Sequence, residues 1–88
     1  MADCLFCKII ERKVPGRIVH EDDDLVAFED VNPQAPLHVL VVPRKHIPTL
    51  NDLAPEDDAL LGKLFRAGAR IAKARGVDGS GWRTVMNA

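Results

Sequence analysis

One domain that mixes short strands with a long helix is what this 88-residue sequence predicts. Three patterns carry the prediction. Apolar residues recur at helical spacing near the start and again over residues 55–76; the runs between Arg17 and Val42 are short, β-branched and bounded by turn residues; and proline and glycine clusters separate the segments. A chain of this length has room for one modest core, and chains this small often lean on a metal, disulfides or a second chain.

In chain order, Leu5, Phe6, Ile9 and Ile10 follow Asp3, a residue able to cap, so residues 4–12 read as a short helix that Pro15-Gly16 ends. Ile18-Val19-His20 and Leu25-Val26-Ala27-Phe28 read as two strands joined by the acidic turn of residues 21–24. Alternation puts Val26, Phe28 and Asp30 on one face of the second strand and Leu25, Ala27 and Glu29 on the other. Residues 31–36 hold two prolines, which lack the donor a central strand needs, and form a connector. Residues 37–42 are nearly all apolar, the pattern of a strand buried on both faces, and Pro43 closes it. His38 interrupts that run and shares a face with Leu40 and Val42.

Residues 47–54 are irregular, and the longest helix starts at Pro55. Leu60, Leu61, Leu64, Phe65, Gly68, Ile71 and Ala72 form its apolar stripe. Glu56, Asp57 and Asp58 at its start, with Arg70, Lys73 and Arg75 near its end, complement the helix dipole, and Gly76 stops it. The turn over residues 77–81 then leads into a further strand, residues 82–86.

A composition 47% hydrophobic and 28% charged is that of a folded globular chain, and a net charge of -1 argues against non-specific nucleic-acid or membrane binding, which needs a concentrated basic face. No stretch approaches the roughly 20 apolar residues of a membrane span, and the start lacks the pattern of a signal peptide. A cytoplasmic setting is expected. There the two cysteines read as metal ligands, redox thiols or buried small residues before they read as a disulfide.

Cys4-x-x-Cys7 with the later His46 is a borderline-soft donor set suited to tetrahedral zinc, one ligand short of a closed site. Buried unligated cysteines are the plainer reading. A redox pair is the third, although that motif ordinarily follows a strand, and none precedes this one. Phe28 and Asp30 also read two ways: as core and turn residues, or as an aromatic face for a planar base beside a carboxylate for ribose hydroxyls. His38 is either a hydrogen-bonded histidine in a buried strand or a catalytic group, and His20 is solvated surface.

The run Phe28-Glu-Asp30-Val-Asn-Pro-Gln-Ala-Pro36-Leu-His38-Val-Leu-Val-Val-Pro43-Arg-Lys-His46 resembles the N-terminal signature of the histidine triad (HIT) family, most closely its Hint branch. Leu5-Phe6-Cys7-Lys8-Ile9-Ile10 and Gly81-Trp82-Arg83-Thr84-Val85-Met86-Asn87 extend the likeness over essentially the whole chain. The resemblance implies one α+β domain over residues 1–88: a bent antiparallel sheet, a short N-terminal helix and a long helix packed on the sheet. It also implies a homodimer built around that long helix and a shared central sheet. Leu5, Phe6, Phe28 and Val31 would line the pocket for a purine base, Asp30 would hold the ribose of a nucleotide such as AMP or GMP, and Asn87 would reach the phosphate side. His38 would be a supporting histidine at the reaction centre. Cys4, Cys7 and His46 match three of four ligands of a structural zinc, the fourth being a histidine further along the family's chain.

The family takes its name from a His-x-His-x-His segment, and the three histidines here, His20, His38 and His46, contain none. In the family that segment attacks the α-phosphate of a nucleoside phosphoramidate or dinucleotide to give a nucleotidyl-histidine. These residues are therefore expected to be the N-terminal part of a longer protein, incomplete at the C-terminus, whose catalytic strand and nucleophile lie beyond them. A remnant that binds nucleotide or zinc without catalysis is the alternative.

Overall fold

The computed structural model describes residues 17–86. The chain divides into two compact units, one reaching His46 and the other beginning at Ile47. The short helix expected over residues 4–12 lies outside the described residues.

The first unit is built on a three-stranded antiparallel sheet of β1 (Ile18–Glu21), β2 (Leu25–Glu29) and β3 (Val39–Pro43), in the order β1-β2-β3. Phe28 stands opposite Leu40 and Val26 opposite Val42, while Ile18 pairs with Phe28 on the other side. A bulge between Ile18 and His20 shifts the β1 register, a device that adds local twist. Val26 and Phe28 are buried, with Ile18, Leu40 and Val42 packed against them. Burying a side chain of this size contributes about 1.5–3 kcal/mol.

The strand expected at residues 37–42 begins two positions later, at Val39, and its residues are half-buried where burial on both faces was expected. The buried strand is β2, in which Leu25, Val26, Ala27 and Phe28 are at most 3% exposed. The reason is topological: the middle strand has a neighbour on each side, and an outer strand has one. Arg44 ties the end of β3 to the acidic turn, donating from its backbone to the Asp24 carbonyl at 3.0 Å and from Nε to the Asp22 carbonyl at 2.6 Å.

In the second unit the expected helix opens as a 3-10 turn, Pro55–Asp57, and becomes α1 over Asp58–Ala74. Asp57 is buried and its carboxylate accepts from the Ala54 amide at 3.0 Å, which satisfies a donor ahead of the first turn. A second 3-10 turn, Leu50–Asp52, is capped by Thr49, whose hydroxyl accepts from Asn51 N at 3.1 Å. The stripe of α1 differs from expectation at two positions. Ala67 is buried although its small side chain carries little hydrophobic signal, and Phe65, at the stripe's margin, stays 48% exposed.

Gly76, at φ 76°, ends α1 in a Schellman arrangement, with Gly76 N donating to Lys73 O at 3.1 Å and Val77 N to Ala72 O at 3.0 Å. Residues 82–86, expected as a strand, join no ladder among the described residues. A strand forms only where a neighbouring strand supplies hydrogen bonds, and here Trp82 lies against α1 at Gly68.

Candidate functional site

The face of the sheet that carries Val26, Phe28, Leu40 and Val42 ends in a polar pair. The β2–β3 register continues one step past its last pair, Glu29 and Val39, so that Asp30 N donates to the His38 carbonyl at 3.0 Å. Cross-strand partners point to the same side, and the side chains meet: His38 Nε2 lies 3.4 Å from Asp30 Oδ2. Both are partly accessible, His38 at 30% and Asp30 at 22%.

The intervening loop organises the pair. Asp30 Oδ1 accepts from Asn32 N at 2.9 Å, the Asx turn that an aspartate before Asn-Pro favours. Gln34 donates from its amide N to His38 Nδ1 at 3.0 Å and from its side chain to the Asn32 carbonyl at 3.2 Å. Gln34 is a contributor that sequence reasoning missed, because the bond to His38 comes from the backbone, which every residue but proline possesses.

Of the other predicted positions, Phe28 is buried in the apolar cluster and Val31 is 86% exposed on the loop. His46 is half-buried beyond β3. Cys4, Cys7, Leu5, Phe6 and Asn87 lie outside the described residues. Among the described residues no group of three or more His, Cys, Asp and Glu side chains could hold a metal ion. His20 is not bare surface: its Nε2 lies 3.1 Å from Asp22 Oδ2. Asp22 in turn is held below the usual carboxyl range, chiefly by the Asp24 amide and then by the His20 side chain.

A buried apolar sheet face ending in an accessible carboxylate–imidazole pair is an arrangement for holding a ligand that is part apolar and part hydrogen-bonding. The comparisons with known proteins bear on the family of the chain. The family model described as "Scavenger mRNA decapping enzyme C-term binding" matches residues 3–87. The purine nucleoside phosphoramidase of Escherichia coli (strain K12) is 42% identical over 85 residues, which is 97% of this chain and 71% of that protein. A HIT family hydrolase from Legionella pneumophila superposes with a TM-score of 0.92 at 42% identity, over 94% of this chain and 74% of that one. A histidine triad protein from Clostridium difficile gives 0.94 at 40% identity, over 99% and 76%. The architecture is thus the α+β fold of solved HIT proteins, with a three-stranded antiparallel sheet and one long helix. The chain belongs to the histidine triad (HIT) family.

Proposed function

We propose that this chain is the nucleotide-holding part of a HIT-family protein that hydrolyses or transfers nucleotidyl groups, with purine nucleoside phosphoramidates or dinucleoside polyphosphates as substrates. The observation that carries the reading is the Asp30–His38 pair at the end of the Phe28–Leu40 face. The name of the Escherichia coli relative supports the substrate class. Asp30 is placed to accept from ribose hydroxyls, Phe28 and Val31 with Leu5 and Phe6 bound the purine pocket, and Asn87 serves the phosphate side. His38 supports a reaction centre whose nucleophile is a histidine that these 88 residues lack. That histidine bonds to the α-phosphorus as the bond to the leaving group breaks, a neighbour protonates the leaving group, and water then releases the nucleotide.

The test is calorimetry with AMP and GMP on the 88-residue chain. Purine nucleotide is expected to bind, and Asp30→Ala to weaken it by roughly 10–100-fold, the cost of losing hydrogen bonds to a charged group. The same chain is expected to release no AMP from adenosine phosphoramidate. Release at an enzymatic rate would show the nucleophile to be wrongly assigned, and no binding would remove the nucleotide reading altogether.

The thiolates of Cys4 and Cys7 with the His46 imidazole have the softness zinc prefers, and a cytoplasmic setting keeps such cysteines reduced. The metal would anchor the N-terminal segment and take no part in the chemistry. Elemental analysis is expected to find zinc in protein prepared without chelator and to find less in Cys4→Ser; its absence from the parent would reject the ligand set. A homodimer through the long helix is part of the same proposal. It is supported by the exposure of Phe65, Trp82, Val85 and Met86, all large and apolar.

A further inference from the structure

The loop between β2 and β3 closes on itself through four hydrogen bonds: Asp30 N to His38 O, Asn32 N to Asp30 Oδ1, the Gln34 side chain to Asn32 O, and Gln34 N to His38 Nδ1. We infer that this loop fixes His38 as its neutral Nε2–H tautomer, with Gln34 as the positioning residue, so that the ring offers the ligand a hydrogen-bond donor and not a base.

Donor and acceptor capacity decides the tautomer. A backbone amide can only donate, so Nδ1, 3.0 Å from Gln34 N, presents its lone pair there. In a neutral imidazole the single proton is then on Nε2. That proton faces Asp30 Oδ2 at 3.4 Å, beyond the range of a good N–H···O bond. The carboxylate therefore leaves the proton uncommitted, and an oxygen brought within about 3 Å of Nε2 would take it as a better bond. With Nδ1 occupied and Nε2 protonated, His38 has no lone pair free to attack phosphorus or accept a proton.

The Gln34 side chain adds a further bond within the loop, while the grip on the ring comes from the backbone amide. The side-chain bond to the Asn32 carbonyl, together with the Asx turn on Asp30, links both ends of the loop to the residue whose amide holds the ring. The tautomer assignment stands apart from the nucleotide reading; what it adds to that reading is the role of His38, a donor to a hydroxyl or phosphoryl oxygen.

The experiment is nitrogen–proton correlation NMR of the histidine rings in the 15N-labelled 88-residue chain at about pH 8.5, where an ordinary imidazole is neutral. The His38 signals are identified by their loss in His38→Gln. The expected spectrum shows His38 at the limiting Nε2–H pattern, with a scalar coupling between Gln34 N and Nδ1 across their hydrogen bond. Gln34→Ala, which keeps the amide, is expected to retain the pattern, and Gln34→Pro, which deletes the donor, to lose the coupling and move the ring to averaged tautomers. An Nδ1–H or averaged pattern in the parent overturns the inference, as does an unchanged ring in Gln34→Pro. Should Gln34→Pro fail to fold, the parent's coupling decides alone. AMP binding with an averaged ring would sink this inference and leave the nucleotide reading standing; a fixed ring without AMP binding would do the reverse.

Discussion

At the scale of single residues, side chains with two acceptors organise this molecule's turns. Asp22 is the clearest: Oδ1 accepts from Asp24 N at 2.8 Å and from Leu25 N at 3.0 Å, while Oδ2 meets His20. These bonds, the Asp24 amide foremost, hold its carboxyl below the ordinary value of 3.8. A group depressed by folding stabilises the native state above its unfolded pKa, and that contribution is lost as pH falls through the lower folded value. Asp22→Asn keeps an acceptor and removes the charge. The variant is expected to be less stable than the parent at neutral pH and to lose less on acidification below about pH 4. Urea unfolding midpoints at the two pH values check this, and equal acid losses would contradict it. Asp30 makes a similar turn with Asn32, which the sequence already announces in Asp-Val-Asn-Pro. The Gln34 amide could not be read that way, since a backbone donor leaves no mark on residue identity.

Among the elements, faces were legible and neighbours were not. Alternation placed Asp30 with Phe28, and His38 with Leu40, on common faces, and one continuous register brings the two polar residues together. The same alternation gave no sign that β2, and not β3, is the middle strand. α1 was readable almost from end to end because its signals are local: the prolyl start, the acidic first turn and the glycine beyond its last turn. Gly76 gives the prediction at this scale. An alanine there must hold a left-handed φ, which costs about 1–2 kcal/mol, and for a domain of this size the melting temperature is expected to fall by roughly 4–8 °C for each kcal/mol. Calorimetric unfolding of Gly76→Ala measures the shift, and an unchanged Tm would mean that the helix ends differently.

For the whole molecule, the large apolar side chains left exposed bear on assembly. Phe65 on α1, and Trp82, Val85 and Met86 after it, remain open to solvent, and residues 82–86 find no ladder partner among the described residues. A cluster of large apolar side chains open to solvent marks a surface that another chain can cover. The proposed dimer would cover these side chains. Phe65→Glu buries a charge in such an interface, so the parent is expected to sediment as a dimer and the variant as a monomer. A parent that remains monomeric at every concentration would remove the dimer. No helix among the described residues is long and apolar enough to cross a membrane.

Residue order was enough for the kind and position of most elements, the faces they present, and membership in the HIT family, because hydrophobic period, caps and turn residues act over a few positions of chain. Folding in three dimensions settled which strand is central, that Phe65 stays exposed while Ala67 is buried, that Arg44 closes on the acidic turn of residues 21–24, and that a loop amide grips His38. Each of these depends on partners brought together from separate parts of the chain, or on backbone groups that all residues share. Burial and hydrogen bonding between such partners are properties of the packed structure, where local pattern carries no record of them.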